Sequence, residues 1–184
     1  MNETLVDAAE LNGLLGREDV LLVDCRSELG EVDWLFNNAG VALLGPAWQA
    51  TEADWQWLWG VNVLGVANGV RVFGPRMRSR GTPAHIVNTA SAAGLATLAG
   101  SAVYAATKHA VVAFSECLAH DLHREGSRIG VSVLCPSLLP TRIHESQRNR
   151  PGALGDTVAA APSYEERVRN GMAASTVNAD DVAL

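Results

Sequence analysis

Lysine is nearly absent from this 184-residue chain, which carries one, Lys108, among fourteen basic residues. Twenty acidic residues leave a net charge of −6, and no stretch gathers consecutive Lys or Arg. That balance supplies no positive field for a phosphate backbone and excludes nucleic acid as an expected partner. Cysteine is scarce too. Cys25, Cys117 and Cys135 are odd in number and form neither a CxxC pair nor a Cys/His ligand spacing, so neither a disulfide framework nor a metal site is expected. No run reaches the roughly 18 apolar residues that a membrane span needs. The opening "MNETLVDAAEL" carries acids where a secretory signal needs positive charge. The expected location is therefore the reducing cytoplasm, with no membrane partner.

What is present reads as one α/β domain. At 48% hydrophobic and 18% charged residues the chain has enough apolar surface for a core of its own. "DVLLVDC" (19–25) and "VDWLFNNAG" (32–40) look like short buried strands. Thr51 with Asp54 three positions on is a capping-box pattern that opens a helix expected over 51–80, stopped by Gly81 and Pro83. "HIVNTAS" (85–91) reads as the next strand, 102–126 as a second long helix closed by Gly126, and "IGVSVLCPS" (129–137) as a further strand. The Pro-, Gly- and charge-rich stretch beyond reads as a mobile loop with short helical pieces. Alternation of this kind implies right-handed crossovers and a parallel sheet with helices on both faces.

The chemistry-bearing residues fall in the middle third. Lys108 stands four positions after Tyr104, one of two tyrosines, so a helix puts both on one face. Taken by themselves they read first as a half-exposed tyrosine and a solvated lysine. An ammonium beside a phenol would also lower its pKa from about 10 and make an acid–base group usable near neutrality. Ser91 ends one strand and Asn37-Asn38-Ala39-Gly40 another, and parallel sheets bind ligands at the carboxyl ends of their strands. Asn62, flanked by Trp59, Val61, Val63 and Leu64, sits where open water is not expected. His109, His120, His123 and His144 read as surface or helix-end residues, and Glu165-Glu166-Arg167 as a solvated helix face.

Together these stretches resemble the classical short-chain dehydrogenase/reductase family. Its pattern is an NNAG strand end, a helix asparagine with glycine three on, a serine thirteen positions before the tyrosine of YxxxK, and a later PGxxxT. The chain offers Asn37-Asn38-Ala39-Gly40, Asn62 with Gly65, Ser91, Tyr104 with Lys108, and Pro136-Ser137 followed by Thr141. The match covers about residues 30–142, with Ser137 in place of the usual glycine. The resemblance implies a Rossmann-like sheet and a nicotinamide cofactor, NAD or NADP, which trades hydride with a small secondary alcohol or ketone. It implies that Tyr104 gives or takes the hydroxyl proton and Ser91 holds the substrate oxygen. Lys108 would bind the nicotinamide ribose and lower the tyrosine pKa, and Asn62 would kink its helix and order a proton-relay water. Asn38, Ala39 and Gly40 would run under the adenosine side, Pro136 and Ser137 beside the nicotinamide, and Thr141 would reach its carboxamide.

The family also opens on a TGxxxGIG turn that holds the pyrophosphate, and none precedes Asn37. "NGLLGRE" (12–18) follows the helix-like "LVDAAEL", which makes Gly16 a C-cap rather than a phosphate loop. Asp24 could lie near the adenine, but the 13 positions between it and Asn37 are too few for a strand-to-strand crossover. Residues 1–30 are thus expected to be an atypical segment covering an otherwise open strand edge, ahead of a catalytic portion at 31–184. The expectation is a truncated, fused or mis-started product that lacks the N-terminal half of the sheet. Two functions stay open: an NAD(P)-dependent oxidoreductase, or a catalytically silent fragment acting through association. The helices at 51–80 and 102–126, with Trp55, Trp59, Val66, Phe73, Val111, Phe114 and Leu118, would pair subunits into a homo-oligomer. "NADDVAL" (178–184) reads as a helix leading to a last strand.

Overall fold

The computed structural model describes residues 32–155, 157 and 162–177. The strand expected at 19–25, the Gly16 cap, the covering role of residues 1–30 and the helix at 178–184 lie outside the described residues.

Three strands form a parallel sheet in the order β1-β2-β3: β1 (Trp34–Asn37), β2 (Ala84–Thr89) and β3 (Ile129–Leu134). The register sets Leu35 beside Ile86 and Ile86 beside Val131, so these side chains share one face. Two long helical stretches cover that face. The first is α1 (Glu52–Trp59), a π-helical turn (Gly60–Leu64) and α2 (Gly65–Arg80), and the second is α3 (Ala102–Arg124). The core is Leu35, Phe73, Met77, Ile86, Leu122 and Ile129 at one end, continued by Val66, Ala90, Val111 and Val112. On the opposite face Trp34 and Phe36 stack at 6.1 Å and stay more than half exposed. Helices on that second face are not found among the described residues.

Local chemistry accounts for the boundaries. Thr51 Oγ1 accepts from the Asp54 amide at 3.2 Å and Asp54 Oδ2 accepts from the Thr51 amide at 2.8 Å, which completes the capping box. Gly81 ends α2 at φ 68°, a left-handed conformation that a side chain would strain. The strands end sooner than the apolar runs suggest. Residues 38–40, 90–91 and 135–137 lie past the strand ends at the carboxyl edge of the sheet, where the Ala90 amide still donates to Leu134 O at 2.8 Å. The loop after β3 carries 3₁₀ turns at Ile143–Asn149 and Gly152–Leu154, then α4 (Pro162–Ala173). Helix α4 is docked by Tyr164, so close to Gly100 that a β-carbon there would stand 2.1 Å from the ring. Arg167 Cζ lies 4.4 Å from the Tyr164 ring centre.

The apolar helix residues divide differently from the expectation. Val66, Phe73 and Val111 are buried in the chain's own core, and Phe114 and Leu118 pack against it. The three-stranded sheet face takes up Val66, Phe73 and Val111, while Phe114 and Leu118 stay partly exposed. The exposed apolar side chains that remain on α1 to α2 are Trp55, Trp59, Leu64 and Val72.

Candidate active site

Four of the singled-out residues meet at the carboxyl edge of the sheet. Ser91 follows β2 and caps the 3₁₀ turn Ala92–Gly94, its Oγ accepting from the Ala93 amide at 3.2 Å. That turn presses on α3: a β-carbon at Gly94 would stand 2.8 Å from the Lys108 carbonyl oxygen. Only glycine permits this approach, and it brings Ser91 against the first turns of α3. There Ser91 reaches the Tyr104 hydroxyl. The Tyr104 ring packs on the cluster of Val41, Leu43, Trp57, Leu58 and Val103.

Lys108 is one turn further along α3 and only 2% exposed. Its Nζ donates to the Thr89 carbonyl at 2.9 Å and lies 5.7 Å from the Tyr104 ring centre. A β-carbon at Gly40 would stand 3.3 Å from that Nζ, so the glycine that ends the first strand loop leaves the ammonium its space. Burial lowers the lysine pKa from its ordinary 10.5 to about 8, with Cys135 nearby pulling the other way. Burial also raises the Tyr104 pKa, and Ser91 offsets part of that. The sequence argument expects Lys108 to draw the phenol toward neutrality; the fold shows desolvation winning instead. The ammonium spends its hydrogen bond on a backbone carbonyl rather than on the phenol oxygen.

Asn62 sits within the π turn Gly60–Leu64, where the Gly65 amide bonds back to Gly60 O. Fully buried, it uses its amide on protein partners. Oδ1 accepts from the Val41 amide at 2.9 Å, and Nδ2 donates to Val41 O at 2.9 Å and to Thr107 Oγ1 at 2.9 Å. Both amide hydrogens are engaged, so neither can be given to a relay water. The side chain positions the loop after β1 against α3.

Sequence reasoning missed the other half of this network. Thr107, buried between Tyr104 and Lys108, accepts from Asn62 and donates to Tyr104 O at 2.7 Å. Its hydroxyl on the helix face that also carries Lys108 and Ser115 was the available signal. A second buried chain runs from Asn37 Nδ2 to Asn88 Oδ1 (2.8 Å) and from Asn88 Nδ2 to Ser115 Oγ (2.9 Å). It ties β1, β2 and α3 beneath the site.

The cofactor positions are less gathered. Gly40 lies against Lys108, Ala39 is half-buried and Asn38 is exposed. The Pro136 carbonyl accepts from the Ala92 amide at 2.8 Å, which fixes the end of β3 beside Ser91. Ser137 and Thr141 are exposed, and neither touches Tyr104 or Lys108 among the described contacts. The residues present fit the nicotinamide–ribose end of a dinucleotide. Among the described residues the Lys108 ammonium makes one hydrogen bond, to the Thr89 carbonyl, and stands against Gly40. No group of three or more potential metal ligands occurs among the described residues, and none of their helices is long and apolar enough to cross a membrane.

The buried ammonium permits a stability test. Each tenfold change in proton affinity is worth about 1.4 kcal/mol, so the drop to about 8 amounts to about 3 kcal/mol against the fold at neutral pH. Lys108→Met removes that penalty and leaves the Thr89 carbonyl unpaired at a loss of about 1 kcal/mol. The expected result is a variant more stable by about 1–2 kcal/mol at pH 7. Both folded and unfolded lysines are charged below about 8, so the gain is constant there; it shrinks as pH rises through 8 and disappears above 10.5. Urea midpoints across this range check it, and a destabilised Lys108→Met protein at pH 7 would contradict the burial argument.

The profile of short-chain dehydrogenases matches residues 18–152. A CLA biosynthesis dehydrogenase/reductase of Lactiplantibacillus plantarum is 35% identical over 129 residues, covering 70% of this chain and 45% of that protein. A 1-deoxy-11-beta-hydroxypentalenate dehydrogenase of Streptomyces exfoliatus is 40% identical over 138 residues, covering 73% of this chain and 49% of the relative. Among solved structures, a short-chain dehydrogenase/reductase from Burkholderia phymatum in complex with NAD superposes with a TM-score of 0.80 at 44% identity. That match covers 84% of this chain and 56% of the other. A gluconate 5-dehydrogenase from Burkholderia cenocepacia J2315 in complex with NADP and tartrate gives 0.58 at 27% identity, over 80% of this chain and 52% of its own. The chain spans about half the length of the curated relatives it matches.

Proposed function

The chain belongs to the short-chain dehydrogenase family, and we propose that it moves hydride between a nicotinamide cofactor, NAD or NADP, and a small secondary alcohol or ketone in the cytoplasm. The observation that carries this reading is that Ser91, Tyr104 and Lys108 stand at one edge of the sheet, with Ser91 near enough to the Tyr104 phenol to lower its pKa.

The cofactor, when bound, accepts or supplies the hydride at its nicotinamide ring. The chain's own residues do the rest. In oxidation the Tyr104 oxygen takes the alcohol proton while the carbon loses hydride, and in reduction the same hydroxyl returns it. Ser91 donates to the substrate oxygen and holds it beside Tyr104. The Lys108 ammonium would bind the ribose hydroxyls, and its charge would favour the phenolate as the tyrosine loses its proton. Asn62 and Thr107 keep the loop at Val41 and the Tyr104 turn in register. The experiment is absorbance of reduced nicotinamide with a panel of secondary alcohols and both oxidised cofactors. Turnover with none of them, under conditions where the chain is folded, would defeat the reading.

Association through the α1–α2 surface is part of the same proposal. Trp55 and Trp59, four positions apart and each 40% exposed, form with Leu64 and Val72 the apolar surface that a second copy would bury. Sedimentation is expected to give a dimer or larger assembly at micromolar concentration, and the Trp59→Glu variant a monomer. A monomeric parent protein would count against it.

A further inference from the structure

The loop after β3 is fastened at two points away from the reacting groups. Ser146 Oγ accepts from the Ala42 amide at 2.9 Å, next to the Val41 that Asn62 holds. The second fastening is an ion pair. Arg150 Nη1 donates to Asp54 Oδ1 at 2.6 Å, and the two side chains are 5% and 0% exposed. The guanidinium lies over the Trp57 ring at 5.3 Å, and its Nε donates to the Gly155 carbonyl at 2.6 Å. Asp54 also accepts from Thr157 Oγ1 at 2.9 Å while capping α1. Leu154, between the two ends of this loop, packs on the cluster that holds the Tyr104 ring.

The placement is unusual for a purely structural pair. Burying two charges brings a desolvation cost that an apolar pair of the same size would avoid, so its use here calls for a geometric reason. An arginine fork fixed by a carboxylate, a ring face and a carbonyl allows one orientation only. It therefore holds the chain at 141–155 in a single arrangement across the carboxyl edge of the sheet.

We propose that Arg150, through its buried pair with Asp54, is a positioning residue: it latches segment 141–155 beside Tyr104, so that the nicotinamide end of the cleft is formed before cofactor arrives. This rests on the dinucleotide reading given above. Without the latch the segment samples open arrangements, and apparent affinity falls in proportion to the fraction that is closed. A variant closed one-tenth of the time binds about tenfold more weakly.

Three variants test this. Arg150→Met alone leaves Asp54 buried without its partner and can fail to fold, so Asp54→Asn with Arg150→Met removes both charges and keeps the cap acceptor. Arg150→Lys restores the charge without the fork. Two readouts apply to the folded proteins: native-state trypsin cleavage after Arg142 and Arg148, and the initial slope of an NADH fluorescence titration, which gives affinity ratios without saturation. The expected results for the double variant are cleavage at least tenfold faster and a slope about tenfold lower. Arg150→Lys is expected to fall between it and the parent. Unchanged cleavage overturns the latch. Faster cleavage with the parent's NADH slope makes the pair structural only and overturns the positioning role. A parent protein with no NADH response overturns the dinucleotide reading itself, and the positioning role with it, while the cleavage rates still report whether the latch exists.

Discussion

Tyr104→Phe is expected to lower kcat/KM by about a thousandfold, within the 10²–10⁴ range that general acid–base groups supply. The substitution removes one atom. The ring keeps its packing on Val41, Leu43, Trp57, Leu58 and Val103, so stability should change by less than about 1 kcal/mol. NADH affinity should shift less than about threefold, because the phenol oxygen faces Ser91 rather than the lysine. What is lost is the proton carrier. Ser91 can still hold the substrate oxygen, but a serine hydroxyl has no pKa within reach of neutrality. The raised Tyr104 pKa adds a direction: the phenolate needed for alcohol oxidation forms more readily as pH rises, so the parent's oxidation rate should climb with pH above neutrality and the variant's should not. A Tyr104→Phe protein keeping more than about a tenth of the parent's rate would remove Tyr104 from the chemistry.

The parts of this arrangement legible in the sequence are those set by short-range rules. The capping box at Thr51 and Asp54, the left-handed stop at Gly81 and the four-residue spacing of Tyr104 and Lys108 each depend on a few neighbouring residues. The parallel α/β class followed from alternating strand and helix patterns, and the order β1-β2-β3 agrees with it. What escaped depends on distant contacts. Nothing in "WLWGVNVLG" marks an i to i+5 turn, although the glycines at 60 and 65 bracket it. Thr107 gained its meaning only when Asn62, 45 positions earlier, came to rest against it. The tyrosine pKa was misjudged because sequence reveals which charge is near but not how much water is lost. The number of apolar residues on the two helices is visible in the sequence, whereas the share of them that the sheet face covers emerges only from the fold. The Arg150–Asp54 pair spans 96 positions, and no periodicity connects its ends.

NAD(H) and NADP(H) are expected to bind this 184-residue chain about a thousandfold more weakly than they bind a family member that carries the Gly-rich turn. The sequence before Asn37 contains no TGxxxGIG element. Among the described residues no helix opens directly from a glycine-rich turn at the end of a strand: after β1 the chain runs fourteen residues to α1, and after β2 it makes a 3₁₀ turn before α3. The described residues thus offer the doubly charged pyrophosphate no set of backbone amides at a helix N-terminus of the kind such a turn provides. Charge-assisted hydrogen bonds contribute about 1.5–3 kcal/mol each, so the loss of two weakens binding by roughly two to four orders of magnitude. In the proposed reading Lys108 meets only the nicotinamide ribose. Nicotinamide mononucleotide, which lacks the pyrophosphate and adenosine, separates the two ends of the cleft. It should bind this chain nearly as well as NADH does, whereas a protein with an intact phosphate turn should favour NADH strongly. Calorimetric titration with both ligands makes the comparison. If NADH bound at micromolar concentration and far better than the mononucleotide, residues 1–31 would have to supply the phosphate contacts, and the reading of "NGLLGRE" as a helix stop would fall.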